Sequence, residues 1–127
     1  MNEETLIKLK PFLYGKLLGD GCIEKPAKPT HNCRFKIKQQ IKHKEYVEVA
    51  FKKLHNFCNK IYLDRSVIIY KGIQKEFYAA VCKTHYLPVF TKMRKDWYND
   101  EGVKGLPQDL EQFFTAETLA YFYMDDG

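Results

Sequence analysis

LYGKLLGDG at residues 13–21 and LAYFYMDDG at residues 119–127 are the stretches whose reading decides the fold of this chain. Each is a nine-residue, largely apolar run that begins with Leu and ends on Asp-Gly, and three of the nine positions are identical. Asp20 and Asp126 fall at the C-terminal ends of the helices these runs predict. The helix macrodipole is negative there and disfavours a carboxylate by a few tenths to about 1 kcal/mol. Stability alone favours Lys or Arg, so the same departure made twice points to function. Two carboxylates brought together by side-by-side helices repel. Protonation of one, or a divalent cation between them, relieves the conflict. Paired carboxylates with Mg²⁺ are common equipment for phosphodiester hydrolysis. Taken singly, each motif is also an ordinary Asp-Gly turn.

Gly15 and Gly19 lie four residues apart, on one face of the first predicted helix. Each costs about 1 kcal/mol of helix stability relative to Ala. Such spacing marks a face that another backbone approaches closely. Gly19 also reads as a C-terminal cap; Gly15 has no such alternative.

Working outward, Pro11 is placed to open the first helix, where its missing N–H costs nothing. A short strand over 22–25 follows, then a Pro-containing loop. Residues 32–40 alternate: Arg34, Lys36, Lys38 and Gln40 point one way, Phe35, Ile37 and Gln39 the other. Val47, Ala50, Phe51, Leu54, Phe57, Cys58 and Ile61 repeat at helical spacing and predict a helix over 43–60. Strands are predicted over 62–70 and 76–83, with a turn at Lys71-Gly72, and a helix over 87–98 with Pro88 in its first turn. A Gly- and Pro-containing connection spans 99–114, and Thr115 caps a last helix. The order α-β-β-α-β-β-α plus one helix predicts an α+β fold: a four-stranded antiparallel sheet, helices on one side, the other side open.

Charge agrees with an open face that meets an anion. The net charge is +5, but residues 1–60 hold 13 Lys/Arg against 6 Asp/Glu, and residues 61–127 hold 8 against 10. From 25 to 44 the cations Lys25, Lys28, Arg34, Lys36, Lys38, Lys42 and Lys44 have no acid among them. Same-face cations on one strand repel, and an anionic polymer lying across them removes the conflict. A solvated basic face is the plainer alternative.

The 127 residues, 45% hydrophobic and 29% charged, are enough for one folded domain. No apolar run approaches the roughly 20 residues of a membrane span, and the N-terminus lacks the apolar core of a signal peptide. Cys22, Cys33, Cys58 and Cys82 are scattered without zinc-ligand spacing. They read as reduced thiols in an intracellular, reducing compartment.

The two motifs, separated by one αββαββα unit, resemble the paired motifs of LAGLIDADG homing endonucleases, and K-G-L-P at 104–107 adds to the likeness. The resemblance runs from about Pro11 to Gly127. It implies that Gly15, Gly19 and Ala120 allow close packing of two motif helices, where Tyr14 and Tyr121 are bulkier than usual. It implies that Asp20 and Asp126 bind a divalent metal, Mg²⁺ or Mn²⁺. Lys104 then stabilises charge on the phosphate, and Gln39 helps to position water. Lys25, Lys28, Arg34, Lys36, Lys38 and Gln40 contact double-stranded DNA. The implied function is an intron-encoded, sequence-specific endonuclease. An RNA maturase acting on intron RNA, an inactive DNA-binding relative and a basic structural domain remain as alternatives.

The resemblance also divides the chain into a first unit at 1–114 and, at 115–127, the opening helix of a second. The full-length protein is then expected to be a pseudo-symmetric monomer rather than a homodimer. Cleavage by residues 1–127 alone is expected to be weak or absent unless a separate partner supplies the second sheet.

Overall fold

The computed structural model describes residues 3–126, leaving aside the side chains of Glu3, Asn59, Asp125 and Asp126. Helix α1 (Glu3–Leu18) leads into strand β1 (Cys22–Glu24), and β2 (Arg34–Gln40) passes through a short 3-10 turn into α2 (Lys44–Lys53). A long hairpin follows, β3 (Cys58–Tyr70) and β4 (Ile73–Thr84). Then come α3 (Pro88–Trp97), the single turn α4 (Leu110–Phe113) and α5 (Ala116–Asp126). The sheet is antiparallel throughout, in the order β1-β2-β4-β3.

The core lies between one face of the sheet and the helices. Ile23, Phe35, Ile37, Ala80 and Cys82 face Phe12, Leu13, Leu17, Val47, Ala50, Phe90, Met93 and Trp97 in a single buried cluster. On β2 the core residues Phe35 and Ile37 alternate with Arg34, Lys36 and Lys38 of the open face, as the period of two requires.

The α+β architecture agrees with the sequence-based expectation, but several boundaries move. α1 begins at Glu3 rather than at Pro11, which sits inside the helix. Pro11 cannot donate to Ile7, whose surroundings are exposed, while Leu6 is buried and repays the added turns with packing. α2 ends at Lys53 although its apolar periodicity runs on. Phe57 and Cys58 are buried as expected, but from a turn and a strand, because Cys58 pairs with Thr84 and Ile61 with Cys82. Strand pairing here overrides helical periodicity. Lys71 and Gly72 both take positive φ, 51° and 77°, which makes the two-residue turn that suits strand twist.

Tyr14 and Tyr121 do not hold the helices apart. Tyr14 turns into the core, edge-on to Trp97 and Phe113, and its hydroxyl donates to Asp109 at 2.9 Å. Burial, then the bond to Asp109, push its phenol well above the ordinary value. Tyr121 stands edge-on to Phe12.

All four cysteines are free thiols, and the sulfurs of Cys58 and Cys82 lie 3.1 Å apart in the core. Among the described residues no helix is long and apolar enough to cross a membrane.

Candidate nucleic-acid interface and active site

The contact between α1 and α5 is built on Gly15. A Cβ added there would stand 2.6 Å from the carbonyl oxygen of Thr118 and 3.0 Å from Cβ of Tyr121. No residue but glycine fits without moving a backbone. Thr118 is itself buried: its hydroxyl donates to Phe113 O, and Thr115 and Thr118 cap α5 reciprocally. Ala120, expected between the helices, is exposed instead. α5 turns Thr118 and Tyr121 toward α1, and at about 100° per residue Ala120 then falls outside the contact. Gly19 lies in the turn that ends α1, its N–H donating to the carbonyls of Gly15 and Lys16.

Three predicted site residues meet at that helix end. Asp20 is exposed, and its Oδ2 accepts from Gln39 Nε2 at 2.7 Å. Gln39 reaches it from the helix-facing side of β2. Lys104 donates from Nζ to the carbonyls of Leu17 at 2.8 Å and Gly21 at 2.7 Å, with Gly19 O at 3.5 Å. An ammonium on the terminal carbonyls offsets the negative end of the dipole. Lys104 therefore removes much of the electrostatic objection to a carboxylate at Asp20. The side chain of Asp126, the other expected metal ligand, lies outside the described residues.

From Asp20 an open groove continues along the sheet, lined by Lys36, Lys38, Gln39 and Gln40. The cross-strand register puts Lys83 opposite Lys36 on this open face. The chain itself relieves part of the charge conflict expected there. Glu24 binds Arg34 at 2.8 Å and Lys36 at 3.1 Å, with Lys83 at 3.9 Å, and Asp64 binds Lys38 at 2.8 Å. Burial raises the carboxyl of Glu24, but the bonds from Arg34 and Lys36 outweigh it and hold it below the ordinary value. Lys38 does the same for Asp64. Lys25 and Lys28 are exposed in the loop between β1 and β2. Glu24 was not singled out in the sequence, because its pairing with Arg34 depends on a register set across that loop. Lys83 was missed as well: it shares the parity of Ala79 and Val81, which read as an apolar face, and only the pairing with β2 places it opposite Lys36.

The residues suit a hard divalent cation to a limited, definite degree. Asp20 offers an oxygen donor at a solvent-facing edge, and Mg²⁺ typically takes one or two carboxylates, keeping waters and substrate phosphates for the rest. No cluster of three or more His, Cys, Asp or Glu ligands occurs among the described residues.

An antiparallel sheet backed by helices thus presents a basic open face, with a carboxylate, an amide and an ammonium gathered at the end of α1. The chain belongs to the LAGLIDADG DNA endonuclease family, whose model matches residues 10–127. It is 33% identical over 119 residues to the cytochrome b mRNA maturase bI2 of Debaryomyces hansenii, covering 91% of this chain and 44% of the relative. It is 26% identical over 125 residues to the DNA endonuclease I-ChuI of Chlamydomonas applanata, covering 93% and 56%. The fold matches the homing endonuclease I-WcaI, solved bound to its DNA recognition sequence, with a TM-score of 0.73 and 22% identity over 92% of this chain and 50% of that one. The chain thus spans about half the length of these relatives.

Proposed function

We propose that this chain is the DNA-recognising unit, and one side of the catalytic centre, of a sequence-specific homing endonuclease. The observation that carries the reading is the meeting of Asp20, Gln39 and Lys104 at the end of α1, at the head of a groove walled by the cations of β2. The duplex would lie along the open face, its phosphates near Lys25 and Lys28 and its base edges near Arg34, Lys36, Lys38 and Gln40. Asp20, with Asp126 as the second expected ligand, would hold a divalent ion, whose chemistry would be to activate water and to stabilise the departing oxygen. Gln39 fixes the orientation of the Asp20 carboxylate through its N–H, and its carbonyl can accept from a water. Lys104 places a positive charge at the same helix end, where negative charge develops on the phosphate.

The test compares binding of duplex DNA and of structured RNA of equal length, together with Mg²⁺-dependent nicking. Duplex preference is expected, with any nicking abolished by Asp20→Asn while binding persists. Similarity to a maturase makes RNA the rival ligand. Preference for RNA without metal-dependent cutting overturns the nuclease reading. Nicking unchanged in both Asp20→Asn and Asp126→Asn overturns the site assignment.

A further inference from the structure

The cations of the open face are not held alike. Lys38 pairs with Asp64 through two side chains that are each two-fifths or more exposed. Arg34 is gripped from two directions instead. Its Nε donates to Glu24 Oε2 at 2.8 Å, and its guanidinium carbon lies 4.6 Å from the centre of the Tyr86 ring. Glu24 stands directly opposite Arg34 across the β1–β2 register, on the same face of the sheet. Its other oxygen is held by Lys36, so the carboxylate cannot swing away without breaking two ion pairs.

This grip uses the Nε edge and one π face of the guanidinium. No hydrogen bond ties the two terminal nitrogens of Arg34 among the described residues. Those nitrogens form the planar fork that matches O6 and N7 of guanine in the major groove. A fork already fixed in place loses less side-chain entropy on binding than a mobile one. Lysine, a compact ammonium on a flexible stem, offers no equivalent. β2 rises about 3.3 Å per residue, which puts Arg34 roughly 16 Å along the strand from Gln39, well away from the reacting phosphate.

We propose that Arg34 is a guanine-reading residue, and that Glu24 and Tyr86 are positioning residues that hold its fork toward the base edge. The inference rests on the DNA-recognition reading above. It predicts opposite effects on two quantities. Removing the Glu24 charge strengthens attraction to any phosphate backbone, because three neighbouring cations lose their counter-charge. The same change releases the Arg34 fork and weakens discrimination at one base pair. A merely structural role for Glu24 would not separate the two.

The experiment enriches binding sites from a randomised duplex library, using the whole chain and its Arg34→Lys, Glu24→Gln, Tyr86→Leu and Tyr86→Phe variants. The unaltered chain is expected to enrich a motif containing a G·C pair that it prefers by about tenfold or more, the range of a bidentate arginine contact. Arg34→Lys erases the preference at that pair and keeps the rest of the motif. Glu24→Gln and Tyr86→Leu lower it several-fold, Glu24→Gln also raises affinity for unrelated duplex, and Tyr86→Phe retains it because the ring remains. A motif unchanged by Arg34→Lys overturns the guanine assignment. Preference unchanged by both Glu24→Gln and Tyr86→Leu overturns the positioning roles. Enrichment of no sequence by the unaltered chain overturns the DNA-recognition reading itself, and this inference with it.

Discussion

Gly15 shows how one missing methyl group can set the distance between two helices. Replacement by Ala gains about 1 kcal/mol in helix propensity, yet the new Cβ meets a backbone oxygen at 2.6 Å. Overpacking of that kind costs roughly 1–3 kcal/mol. We expect Gly15→Ala to lower Tm, and Gly15→Leu to lower it further, as read by thermal unfolding. Glu24 supplies a test of sign in pH. Its carboxyl is depressed in the fold, so its contribution to stability is complete above its unfolded value and is lost as pH falls through its folded value. Denaturant unfolding at about pH 7 and about pH 3 should show a smaller acid-induced loss for Glu24→Gln than for the unaltered chain.

Elements differ in how far they declare themselves along the chain. β2 was legible because Phe35 and Ile37 alternate with cations, and α3 because Pro88 and the Phe90, Met93, Trp97 stripe agree. α2 was not legible to its end, because Leu54, Phe57 and Cys58 keep helical spacing while the register with Thr84 and Cys82 claims the chain for a strand. Periodicity is local and strand pairing is not. The same divide runs through the candidate site. Asp20 stands out as a carboxylate at the wrong end of a helix, whereas its bond to Gln39 and the clasp of Lys104 join residues far apart in sequence. At this scale α5 offers a clean test. Its start depends on the reciprocal Thr115–Thr118 cap, so Thr115→Ala should cost about 1 kcal/mol. Hydrogen exchange is expected to quicken across 116–126 and to stay unchanged in β2 and β4.

In the whole molecule the cations of β2 line the open side of the sheet, and the helices pack on the other. Affinity for duplex DNA should therefore fall steeply with salt, and replacing both Lys25 and Lys28 with Ala should reduce the slope of log K against log salt by about two. Titrations over a range of salt concentrations would check this, with little change expected in sequence preference. The packing of α5 against α1 bears on how such a molecule is made. The helix that completes the Gly15 face leaves the ribosome about a hundred residues after the face itself, a wait of roughly 5–20 s at ordinary synthesis rates. Through that interval the strands of the sheet emerge in turn, β4 ending at Thr84, so the sheet can assemble on α1 before α5 exists to cover Gly15. The last contact of the fold is therefore also the last to be synthesised, and α1 must wait for it with its glycine face uncovered.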